Sequence, residues 1–125
     1  MRVWLYARLS NDDDREMNSL LNQREVCQAF AEQHGYIIMG QSFDDNISGM
    51  SFDRRGLDEL MAAVDADKID AVIVKDLSRL GRHRTQTALF IDYLREHQVR
   101  VISATEGVDT FRDEDDLIIG VRGLM

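Results

Sequence analysis

The stretch Val3-Trp4-Leu5-Tyr6-Ala7-Arg8-Leu9-Ser10 reads as a β-strand that ends in chemistry. Side chains on a strand alternate faces with period two. Val3, Leu5, Ala7 and Leu9 therefore share one face, which is wholly apolar. Trp4, Tyr6, Arg8 and Ser10 share the other. A guanidinium beside a hydroxyl then stands at a strand's carboxyl end, where open α/β sheets place their ligands.

The remainder of the chain supplies the other parts of such a sheet. A helix is expected over Ser19–His34, with Leu20, Cys27, Phe30 and Ala31 on its apolar side and Gly35 as its stop. Tyr36–Phe43 reads as the second strand and Asp44–Phe52 as a polar loop around Gly49. Asp53 stands where it would cap a helix carrying Leu57, Leu60, Met61 and Val64 at i, i+3, i+4 and i+7. Ala71–Val74 is wholly apolar, as a strand buried on both faces should be. Lys75–Arg84 is a charged connection, Thr85–His97 a helix and Val99–Ala104 the fourth strand. Thr105–Asp116 reads as loop, and Leu117–Met125 as the start of another helix. This alternation predicts the α/β class: a mostly parallel sheet of about four to five strands flanked by helices.

The 125 residues suit one domain, and 44% hydrophobic residues are enough for a core. No apolar run approaches the roughly 20 residues of a membrane helix, and no signal-peptide pattern opens the chain. Membrane partners are not expected, and a cytoplasmic location is. The single cysteine, Cys27, excludes an internal disulfide framework and a cysteine-based metal site. A net charge of −8 argues against a surface that grips nucleic acid all over. The charge is uneven, however. Lys75, Arg79, Arg82 and Arg84 face Asp76 alone, while the acid gathers in Asp12–Asp14, Asp65–Asp70 and Asp113–Asp116. Leu117, Ile118, Ile119, Val121, Leu124 and Met125 continue an apolar pattern to the last residue. The expectation is a single domain over residues 1–125, cut within its final helix.

Four segments emerge near the carboxyl ends of the strands or connect to them: Tyr6-x-Arg8-x-Ser10, Asp45–Arg54, Lys75–Arg82 and, less informative, Thr105–Gly107. Together they offer one hydroxyl, on Ser10, and four guanidiniums, on Arg8, Arg54, Arg79 and Arg82. Arginine stays charged at any useful pH, and its planar fork matches phosphate oxygens. Several arginines around a serine suit displacement at phosphorus, where positioning and electrostatics supply most of the catalysis. The hydroxyl needs activation, which a nearby guanidinium can give by favouring the alkoxide. None of His34, His83 and His97 is an obvious base, so a Ser-His-Asp hydrolase is disfavoured. Taken singly, each of these residues has a plainer reading: a solvated arginine, a turn serine, an exposed glutamine at Gln23. Only the combination carries the argument.

In order and spacing, YARLS, SLLNQRE, DDNISGMSFDRRGL and VIVKDLSRLGR resemble the catalytic domain of the serine site-specific recombinases, the resolvases and DNA invertases. The long DDD-containing loop and VKDLSRLGR look most like the large serine recombinase branch of prophages and conjugative transposons. The resemblance implies a resolvase-like fold and site-specific DNA recombination in a bacterial cytoplasm, on nucleoid DNA. Ser10 would be the nucleophile, forming a 5′-phosphoserine link without metal, ATP or other cofactor. Arg8, Arg79, Arg82 and Arg54 would contact the scissile phosphate or the leaving oxygen. Tyr6, Gln23, Asp45, Ser48 and Gly49 would shape the pocket. Partners would be DNA, held mainly by regions absent from this chain, and further copies forming a dimer and a synaptic tetramer. One position departs. Resolvases carry an aspartate where this chain has Ser78, and Asp76 is the neighbouring carboxylate that could compensate. Two other classes compete: a receiver-like signalling domain binding magnesium through Asp12–Asp14 and Asp76, and a non-catalytic interaction domain of the same fold.

Overall fold

A computed structural model describes residues 1–10, 19–46, 54–80 and 84–110. The Asp12–Asp14 loop, Ser48, Gly49, Asp53, Arg82 and the expected final helix lie outside the described residues. The elements are β1 (Arg2–Ser10), α1 (Leu20–Gln33), β2 (Ile37–Asn46), α2 (Arg55–Asp65), β3 (Ala71–Val74), a short 3-10 turn (Leu77–Leu80), α3 (Arg84–Glu96), β4 (Arg100–Ser103) and β5 (Val108–Asp109). The strands form one sheet in the order β2-β1-β3-β4-β5. The first four are parallel, and β5 runs antiparallel to β4. The protein is therefore α/β with a mostly parallel five-stranded sheet between helices.

The alternation in β1 sorts two core layers. Val3 and Leu5 pack with Ala71, Ile73 and Ile102 under Cys27 and Ala31 of α1. Tyr6 packs with Val72, Val74 and Val101 under Leu60 and Val64 of α2 and Ile91 and Leu94 of α3. The β3 run has no exposed residue, because helices cover both its faces. Helix α1 begins where its cap requires: the Ser19 Oγ accepts the Asn22 N–H at 3.0 Å. It stops at Gly35, whose φ of +70 only glycine adopts without strain.

Two expectations change. Strand β2 runs on to Asn46 instead of ending at Phe43, so Asp44 belongs to a strand and not to a loop. Its carboxylate accepts the Gly56 and Leu57 N–H groups at 2.6 and 2.9 Å, capping α2 across space. Gly56 permits this approach, since a Cβ there would lie 2.4 Å from the Phe43 carbonyl oxygen. The region expected to be loop after Ala104 contains β5, where Val108 and Asp109 pair with Ser103 and Ile102.

Topology then places the ligand crevice. From β1 the chain crosses to β2 on one side, then returns to β3 on the other. The gap between the carboxyl ends of β1 and β3 is the switch point. Strand β3 pairs only with Val3–Leu5, so Tyr6–Ser10 project past it.

Candidate functional site

The projecting end of β1 is held against the 3-10 turn by two arginines that interlock. The Arg8 Nη2 donates to the Ser78 carbonyl, and the Arg79 Nη1 donates to the Arg8 carbonyl at 2.8 Å. Each guanidinium is thus tied to the segment that carries the other. Both are buried, at 9% and 4% exposure. Burying a guanidinium is costly unless its N–H groups find partners. Here a carbonyl oxygen takes one nitrogen of each, and the Asp76 carboxylate takes the other two of Arg79.

From the α1 side, Gln23 completes the fixture. Its Oε1 accepts the Arg8 N–H at 3.1 Å, and its Nε2 donates to the Arg8 carbonyl at 2.8 Å. Gln23 is fully buried, which discards the exposed-residue reading. Next to it, Asn22 Oδ1 accepts from the Lys75 Nζ at 2.8 Å. The Thr105 N–H and Oγ donate to the Lys75 carbonyl at 3.1 and 2.6 Å. Glu106 accepts from the Leu77 N–H and the Ser103 Oγ, both at 2.9 Å. The β4–β5 turn therefore clasps the connection that leads to Arg79.

Asp76 forms the base of that connection. Its Oδ2 faces the Arg79 Nε and Nη2, each at 3.3 Å, and its Oδ1 accepts from the Ser78 N–H at 3.1 Å and from the Ser78 Oγ. A magnesium-binding receiver would need this carboxylate for its own chemistry. Here it is shared between Arg79 and Ser78. Below, the Cys27 thiol is pushed up to about 12, first by burial and then by the charge of Asp76, with Lys75 opposing.

The remaining expected residues divide. Ser10 ends β1 two positions beyond Arg8. The Tyr6 hydroxyl donates to Asp44 at 2.7 Å in a buried contact, so Tyr6 supports the α2 cap. Asp45 is exposed beside Leu9, and its neighbour Asp44 is the buried carboxylate that caps α2. The signal was parity: Ser42 and Asp44 alternate inward, and Gln41, Phe43 and Asp45 outward. Arg54 stands just before α2 and pairs with Asp58 of that helix at 3.6 Å, not with the Arg8–Arg79 group. Ser48, Gly49 and Arg82 lie outside the described residues. What the structure brings together is Arg8, Gln23, Ser78 and Arg79, with Lys75 and Asp76 beside them. Such a cluster can hold an oxyanion next to the end of β1.

Residues 3–125 match the family model described as the N-terminal domain of resolvases. The chain is 29% identical over 121 residues to the transposon Tn3 resolvase of Escherichia coli, covering 97% of itself and 60% of that protein. It is 30% identical over 105 residues to the serine recombinase gin of Escherichia phage Mu, covering 84% of itself and 48% of that protein. The chain thus spans about half to three-fifths of these relatives' lengths. Among solved structures it is similar to a resolvase family site-specific recombinase from Streptococcus pneumoniae. That match has 29% identity and a TM-score of 0.81, covering 97% of this chain and 82% of the other.

Proposed function

We propose that this chain, which belongs to the resolvase N-terminal domain family, is the part of a serine site-specific recombinase that cleaves and rejoins DNA. The observation that carries the reading is the interlocked pair Arg8 and Arg79 at the switch point, beside the strand end that bears Ser10. On this reading the Ser10 Oγ attacks a DNA phosphorus. A serine–phosphate bond forms, the bond to the 3′ oxygen breaks, and the proton lost from serine is balanced by the one gained by the leaving hydroxyl. The reverse step rejoins the strand. One phosphodiester is exchanged for another, so no ATP is consumed.

Arg8 and Arg79 neutralise the phosphate as charge gathers on its oxygens, in a site already organised before DNA arrives. Arg82 and Arg54 are assigned to the same phosphate. Gln23, Tyr6, Ser78, Asp45, Ser48 and Gly49 are assigned to its surroundings. The sequence pattern supports these assignments: all lie in the four blocks that resemble the family. With a net charge of −8, the chain supplies little general grip on duplex DNA. The reading therefore assigns sequence recognition and tetramer assembly to a longer protein, in keeping with the greater length of the relatives.

The test uses that longer protein with its recombination site in EDTA. Wild type should give a covalent protein–DNA adduct, and Ser10→Ala none. An adduct of undiminished yield in Ser10→Ala would refute the assignment.

A further inference from the structure

We infer that Asp76 is a positioning residue for DNA cleavage, acting by fixing the plane of the Arg79 guanidinium. The inference rests on the function proposed above. A guanidinium is a flat fork whose usefulness to a phosphate depends on where it points. That of Arg79 is held from two sides. Nε and Nη2 meet one oxygen of Asp76, and Nη1 meets the Arg8 carbonyl. Contacts at all three nitrogens block rotation of the terminal group.

Asp76 is itself immobilised. Its other oxygen takes the Ser78 N–H and Oγ, and its carbonyl accepts the Arg79 N–H at 3.3 Å, closing the 3-10 turn. One residue thus sets the turn, the serine and the arginine together. Its charge partly offsets that of Arg79, so it does not serve to attract the phosphate. Its contribution is orientation. A displacement of about 1 Å in a positioning group costs on the order of 100-fold in rate.

Asp76→Asn keeps the size of the side chain and an acceptor for Ser78, and removes the charged pairing with Arg79. In the longer protein with its site, the rate of adduct formation at saturating DNA should fall roughly 10- to 100-fold. The DNA concentration for half-saturation should stay within about two-fold, because a positioning loss acts on the chemical step. In nitrogen-labelled spectra of this chain, the Arg79 Nε proton should exchange slowly in wild type and at least ten-fold faster in Asp76→Asn. Wild-type cleavage rates in Asp76→Asn would overturn the inference. So would a fast-exchanging Arg79 Nε proton in wild type, a result that stands even if the variant fails to fold. Persistence of the adduct in Ser10→Ala would instead defeat the underlying function, so the two failures are separable.

Discussion

Gln23 and Cys27 lie one helical turn apart on α1 and do opposite jobs. Gln23 brings a polar group into the core and anchors both its oxygen and its nitrogen on the backbone of Arg8. Cys27 offers a thiol to an apolar layer, between Val3, Leu5 and Ala71. Its folded pKa is pushed up to about 12, from 9.0 for a thiol outside the fold. The neutral form is the one favoured by folding, so the native chain keeps a proton that the unfolded chain gives up. The stability this confers is complete below about pH 9 and is lost as pH rises toward 12. Between pH 7 and pH 10 the wild type should lose about 1.4 kcal/mol more than Cys27→Ala. Urea unfolding of both proteins at the two pH values measures this difference, and parallel losses would contradict it.

At the scale of elements, α2 owes its start to a residue of β2. Asp44→Ala removes two backbone caps and leaves the buried Tyr6 hydroxyl without its acceptor. The expected loss is about 3 kcal/mol, read as a lower urea midpoint, with the first turn of α2 losing amide protection before the rest. That dependence also shows where the sequence was readable. The two-faced pattern of Val3–Ser10 and the apolar run Ala71–Val74 carry their own periodicity, so both strands and their burial could be read directly. The burial of Asp44 could not be read that way. The β1–β2 register slips by one residue between Val3 and Trp4, and Gly40 then seats the Trp4 ring. Inward parity downstream of that slip depends on a partner strand, not on local composition. Strand β5 was hidden for a similar reason: two residues, one apolar, form a strand only because β4 offers an edge. That Arg8 and Arg79 would lie near one another at the strand ends was legible in the sequence. Their mutual anchoring was not, because it depends on how far β1 overhangs β3.

At the scale of the whole molecule, the described residues cover β3 thoroughly and β2 poorly. At the β2 edge a hollow of about 660 Å³ opens, with Leu21 and Phe43 on its lining, each 61% exposed. Apolar surface of this kind on a strand that is the sheet edge among the described residues favours association. The weight-average mass of the 125-residue chain should rise with concentration in sedimentation experiments, and Phe43→Lys should suppress the rise. An unchanged rise would assign the contact to another surface. On the other side of β1, the overhang has a mechanical meaning. From Tyr6 onward the strand keeps its ladder with β2 but has passed beyond β3. It is a cantilever, and its stays are the amide of Gln23 and the guanidinium of Arg79, both fastened to one carbonyl oxygen. Any load on Arg79 is therefore carried to the tip of the strand through that single oxygen, while the anchored root of the beam stays where it was.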